Sequence, residues 1–129
     1  MRFTTTDIGR MGEQAACNHL RFNGYKVIKR NFFDSHNEID IIAENNQFIV
    51  FVEVKTRTFY KGSEFGSPAS AVTYAKQKRT LSAAQAYLNK HKTQKSPRLD
   101  VIEVYIRKST DGSLPEVVKI NHIEDAFSN

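Results

Sequence analysis

The stretch Glu38-Ile39-Asp40-Ile41-Ile42-Ala43-Glu44-Asn45-Asn46-Gln47-Phe48-Ile49-Val50-Phe51-Val52-Glu53-Val54-Lys55 decides the fold. It reads as two strands, Glu38 to Ala43 and Gln47 to Lys55, joined at Glu44-Asn45-Asn46, because Asn tolerates the left-handed backbone of a tight hairpin. In the second of them Val50, Val52 and Val54 share one face, and Phe51, Glu53 and Lys55 share the other. The valine face is core. A charge at a central strand position belongs on an exposed face or in a site, so Glu53 and Lys55 need a reason. A two-residue turn at Asn45-Asn46 pairs Glu44 with Gln47, Asp40 with Phe51 and Glu38 with Glu53. Asp40 and Glu53 then lie diagonally on one face, roughly 7–8 Å apart at the backbone. A four-residue loop preserves this arrangement, whereas an odd loop moves Asp40 to the valine face.

Outward from the hairpin, Thr5, Thr6 or Asp7 can cap a first helix that runs to about Asn23 and stops at Gly24. Tyr25 to Phe33 reads as the first strand. After Lys55 comes a loop with Gly62, Gly66 and Pro68, and Ser67 or Ser70 can cap a second helix lasting to about His91. Leu99 to Ile106 is a fourth strand, Asp111-Gly112-Ser113 a turn, Glu116 to Ile120 a short fifth strand, and Asn121 to Phe127 a helical turn. The order αβββαβ(β) predicts an α/β fold with a mixed central sheet flanked by helices. Strands three and four are expected parallel, joined by a right-handed crossover. Nothing in the 129 residues reads as a linker or repeat, so 1–129 is expected to be one domain.

Two like charges set so close repel, and the arrangement is costly without a cation. Hard divalent ions take carboxylate oxygens, with Mg²⁺ accepting one or two carboxylates plus water and phosphate oxygens. Lys55 can stabilise charge on a phosphate or orient an attacking water. Metal, hydroxide source and positive charge are the parts that phosphodiester hydrolysis needs. The bland alternative is an acid–base ladder on a solvated face. Glu13 leads Ala16, Cys17 and Leu20 at helical spacing, which would carry it inward; its alternative role is an exposed acid favoured by the helix dipole. Gln77 likewise leads Leu81, Ala84 and Leu88, and a backbone hydrogen bond is its simpler role. Arg98 and Asp100 share a strand face and are expected to form a supporting ion pair. The four histidines show no ligand spacing, and Cys17 reads as a small core residue.

The charge of +5 is unevenly placed. Between Lys55 and Arg98 stand ten basic residues against Glu64 alone, either a solvated helix face or a surface for phosphates. Arg57, Lys61, Lys76, Gln77 and Arg79 are the candidate nucleic-acid contacts. No apolar run reaches the ~20 residues that span a membrane. The N-terminal residues show no apolar signal segment, and the lone cysteine offers no internal disulfide, so a cytoplasmic location is expected.

These acids, in αβββαβ order, resemble the PD-(D/E)XK nuclease superfamily, which includes restriction endonucleases and archaeal Holliday-junction resolvases. More closely, the chain resembles the bacterial YraN family, described as endonuclease-like. The resemblance runs nearly end to end. It rests on Gly12-Glu13, Gly24-Tyr25, Arg30-Asn31, Glu38-Ile39-Asp40, Phe51-Val52-Glu53-Val54-Lys55-Thr56-Arg57, Lys76-Gln77, Arg98-Leu99-Asp100-Val101 and Ala126-Phe127. It implies a restriction-endonuclease-like domain and Mg²⁺- or Mn²⁺-dependent cleavage of nucleic acid, with DNA, branched forms included, as the first substrate class. Asp40 and Glu53 would be metal ligands, Lys55 the catalytic base or charge stabiliser, and Glu13 the matching acid on the first helix. Asn37 stands where the family usually carries Gly, and Asn reaches similar backbone angles. Two other readings stay open: a nucleic-acid-binding protein that kept the fold without catalysis, and an interaction module. A homodimer and a DNA-processing protein partner remain open partnerships.

Overall fold

The computed structural model describes residues 3–60 and 74–127. They form α1 (Thr5–Phe22), β1 (Lys26–Asp34), β2 (Asn37–Glu44), β3 (Phe48–Tyr60), α2 (Tyr74–Lys90), β4 (Ser96–Lys108) and β5 (Glu116–Ile123). One five-stranded sheet runs in the order β1-β2-β3-β4-β5. Only β3 and β4 pair parallel, in register from Phe48↔Ser96 to Tyr60↔Lys108; the other pairs are antiparallel. The expected αβββαβ order and mixed sheet are therefore present. The anticipated caps Ser67 and Ser70, the glycine-containing loop and Lys61 lie outside the described residues.

Strand alternation assigns the layers. Val50 and Val52 bury with Ile8, Ala16, Cys17 and Leu20 of α1, while Ile49 and Phe51 bury with Ala83, Ala84 and Tyr87 of α2. The helices thus cover opposite faces of β3. Gly12 lets α1 come close, since a Cβ there would meet Thr56 Oγ1 at 2.1 Å. Removing that space would push the helix, and Glu13 with it, away from the sheet. No helix of the described residues is long and apolar enough to cross a membrane.

Several local expectations need correction. Thr4 caps α1, exchanging bonds with Asp7 in a capping box (Asp7 N to Thr4 Oγ1 3.1 Å, Thr4 N to Asp7 Oδ2 2.9 Å). Gly24, at φ +88°, ends the helix region as expected. Among the described residues the non-glycines with left-handed backbone are Asn31, Ser35 and Asp125; Asn37 is not one, and sits in β2 paired with Asp34. The tail continues β5 as far as Ile123, paired with Val101, rather than turning helical at Asn121. Pairing with β4 is a non-local contact that local sequence does not announce.

The hairpin is the correction that matters for function. Its loop holds four residues, Asn45 to Phe48, with Glu44 opposite Ile49 and Ile42, not Asp40, opposite Phe51. Asn45 organises it by accepting at Oδ1 from the Gln47 and Phe48 N–H groups (2.9 and 2.7 Å). The partners have slid by two residues, which conserves the side-chain face.

Candidate functional site

The β2–β3 ladder runs from Glu44↔Ile49 to Ile41↔Val52. One step further along β2, Asp40 takes over with its side chain: the Val54 N–H donates to Asp40 Oδ2 at 2.8 Å. Strict alternation lapses here, because Ile39 packs with the α2 cluster and Ile41 with the α1 cluster. Asp40 occupies that irregularity and aims along the sheet at β3, instead of standing on a regular face beside Glu53. Burial pushes its acid up to about 6 against the opposing Val54 bond, and Glu53, Glu38 and Glu13 each add repulsion. Three acids on three elements therefore act on one half-buried carboxyl.

Glu53 is buried, and its Oε1 accepts Lys76 Nζ at 2.9 Å and Lys55 Nζ at 3.3 Å. Of these two lysines, Lys76 is the one expected at the nucleic-acid-facing surface. It faces inward because the buried stripe of α2 is Thr80, Ala83, Ala84 and Tyr87, whereas Leu81 is 47% exposed. Lys76 heads that stripe at helical spacing, with the Thr80 hydroxyl bonded back to its carbonyl at 3.0 Å. Gln77 lies half-buried beside it, and Arg79 is exposed.

Glu13 stands where its spacing placed it, half-buried on the sheet side of α1. Its Oε1 accepts from Arg30 Nε (3.2 Å), Arg30 Nη2 (3.1 Å) and Asn31 Nδ2 (3.3 Å). Asn31, at φ +53°, falls between Arg30↔Ile41 and Phe32↔Ile39, at the step of the β1–β2 ladder that faces Asp40. Arg30 and Asn31 were not chosen as site residues, although Asn within a strand is itself a signal. A hollow of about 900 Å³ adjoins this group, lined among others by Glu13, Arg30, Asn31, Arg10, Gln14 and Asn18. Asp40 and Glu53 do not line it, so the hollow adjoins the acids rather than containing them.

Across β3, Arg57 Nε and Glu103 Oε2 face each other at 3.7 Å, both buried and neither with a hydrogen-bond partner. Glu103 Oε1 accepts from Asn121 Nδ2 at 2.8 Å. Sequence reasoning passed over Glu103, although a lone acid inside Val101-Ile102-Glu103-Val104 was visible.

At the other side of the sheet Asp100 is saturated. Arg98 donates to it through Nε and Nη2, each at 2.9 Å, His122 Nε2 at 2.7 Å, and the Asp125 N–H at 2.9 Å. Burial opposes ionisation, yet the bonds from His122, Arg98 and Asp125 outweigh it and hold Asp100 below the usual carboxylate range. Arg98 also reaches the Tyr25 hydroxyl at 2.6 Å, and Ala126 N–H donates to Leu99 O at 2.7 Å. Tyr25, Arg98-Leu99-Asp100 and Ala126 thus form one structural clamp. The expected Arg98–Asp100 pair is its centre.

Two carboxylates from adjacent strands are a donor set that suits a hard divalent cation completed by water. Among the described residues, no three or more of His, Cys, Asp and Glu are grouped so as to hold a metal ion. A cation between β2 and β3 would thus rest on the two acids, with Glu53 already carrying two ammonium groups.

The model of the uncharacterised protein family UPF0102 matches residues 12–104, a span holding all of these acids. A UPF0102 protein of Chlorobium chlorochromatii is 41% identical over 124 residues, covering 96% of this chain and 93% of that one. One from Clostridium botulinum is 39% identical over 128 residues, 98% of each. Another, from Caldanaerobacter subterraneus, is 41% identical over 124 residues, 93% of each.

Proposed function

The chain belongs to the UPF0102 family, and from that premise we propose that it is a metal-dependent nuclease hydrolysing phosphodiester bonds in nucleic acid, branched DNA first. The observation that carries the reading is Asp40: a half-buried carboxyl that accepts the Val54 N–H and is pushed up to about 6 by desolvation, with Glu53, Glu38 and Glu13 adding repulsion. A fold gains nothing from such a group, and perturbed acids of this kind mark sites that bind cations or move protons. Asp40 and Glu53 would hold Mg²⁺ or Mn²⁺, which when bound supplies an acidified water and neutralises developing charge. Lys55, on Glu53 and partly exposed, sets a positive charge beside the scissile phosphate. Glu13, fixed by Arg30 and Asn31, orients water at the margin of the acids. Arg57 and the exposed Arg79, with Lys61, offer charge to the flanking phosphates.

One observation favours a second reading, a binder without catalysis: Glu53 is neutralised by two lysines. The separating experiment is a panel of linear, flapped, four-way and single-stranded DNA, incubated with Mn²⁺, Mg²⁺ or EDTA. Wild type is expected to cut at least one branched form with metal and none in EDTA, and Glu53→Ala to lose cleavage while keeping binding. If wild type cuts nothing on the panel, or Glu53→Ala cuts as well as wild type, the nuclease reading fails and the binder replaces it.

A further inference from the structure

Glu53 Oε1 receives its two ammonium groups from different elements, and they differ in kind. Lys55 is a neighbour on the same strand, two residues on, at 3.3 Å. Lys76 crosses from α2 and approaches more closely, at 2.9 Å. Its place is set by packing, since it heads the stripe that buries Thr80, Ala83 and Tyr87 against the sheet. Its side chain keeps 38% exposure while that of Glu53 keeps 8%, so the lysine can swing into solvent and the acid stays almost covered. A carboxylate this buried must be paired. An ammonium or a divalent cation can pair with it, and a divalent ion brought to Glu53 is repelled by the ammonium groups already on Oε1, most by the nearer one, Lys76.

We propose that Lys76 competes with the divalent cation for Glu53, so that metal loading and release of the lysine are a single equilibrium. This rests on the reading of Asp40 and Glu53 as the metal-holding pair. Lys76 keeps Glu53 paired at low metal, which limits the repulsion on Asp40, and it weakens apparent metal affinity by the same coupling. Binding of the ion then turns the Lys76 ammonium away from Glu53. A merely structural Lys76 would pin α2 to β3 without any bearing on metal affinity.

The test is Mn²⁺ affinity of the whole protein, followed by calorimetry and by the loss of the free-ion electron-spin signal, without nucleic acid. Lys76→Met is expected to bind Mn²⁺ about tenfold more tightly than wild type, Lys76→Arg about as wild type, and Lys26→Met, which removes an equal charge from β1, within about twofold of it. Lys76→Gln serves in place of Lys76→Met if the latter does not fold by circular dichroism. Unchanged or weaker affinity in both neutral variants, with wild type binding and Glu53→Gln not, overturns the competition and leaves the metal-holding pair standing. No Mn²⁺ binding by wild type or any variant overturns the metal-holding pair, and the competition with it.

Discussion

Asp40, half-buried, and Asp100, buried, lie in one sheet and are shifted in opposite directions. Asp100 has four donated bonds, two of them from a guanidinium, and is held ionised below the usual range. Among the described residues Asp40 has one donor, the Val54 N–H, and desolvation pushes it up to about 6, with Glu53, Glu38 and Glu13 adding repulsion. The first arrangement ties elements together, the second stores a mismatch. Burial alone does not separate a structural charge from a functional one; the inventory of partners does.

The sharpest way to break this contrast is Asp100→Asn. The amide cannot balance Arg98, which is left buried with only the long contact to the exposed Glu124 (3.9 Å), so the loss should be about 3 kcal/mol. Urea unfolding should show a lower midpoint at unchanged slope. A loss under about 1 kcal/mol would mean that the clamp is not what holds β4, β5 and Tyr25 together.

Asp40→Asn should move the other way. A carboxyl whose pKa rises from 3.8 to about 6 on folding favours the native state only while protonated. Its penalty is absent below about pH 4, grows from there to pH 6 and is complete above, with a ceiling of ~3 kcal/mol. The variant, whose side-chain oxygen still accepts from Val54, should be more stable than wild type by about 1–2 kcal/mol at pH 8 and equal to it at pH 4. Adding Mg²⁺ should stabilise wild type and not the variant. Equal stability at both pH values would remove the asymmetry between the two aspartates.

The smallest effect concerns how α1 delivers Glu13. Gly12→Ala places a methyl on Thr56 Oγ1 and should cost about 1–2 kcal/mol. Combining it with Thr56→Ala, which vacates the contact, should recover most of that cost in thermal melts. Additive losses in the double variant would show that the closeness of helix and strand is not the reason for the glycine.

Much of this was legible beforehand, for identifiable reasons. Val50, Val52 and Val54 alternate cleanly, so the face of Glu53 followed from the pleat, and helical spacing carried Glu13 to the sheet. The aim of Asp40 was not legible, because it depends on a lapse of alternation between Ile39 and Ile41 that no pattern of residues encodes. Clustered charge marks Lys76 as a phosphate contact, and its inward turn is not legible because the buried stripe runs through Thr80, polar yet with its hydroxyl satisfied within the helix, rather than through Leu81. Arg98 and Asp100 were visible as a pair, but their bonds to Tyr25, His122 and Asp125 come from distant segments.

Those distant bonds bear on how the molecule assembles. Tyr25 and Arg98 lie 73 residues apart, and the His19–His122 contact (Nε2 to Nδ1, 3.1 Å) joins residues separated by 103. Contacts of such span bring together parts of the chain whose loop entropy is lost before any bond is made, and folding slows accordingly. The β1–β2 and β2–β3 hairpins can zip locally, carrying Asp40 and its neighbours into place early. The clamp can close only after β4 has crossed over and β5 has come back beside it. Local hairpin closure can thus precede the clamp, and a chain stopped short of His122 lacks the bond from that residue to Asp100.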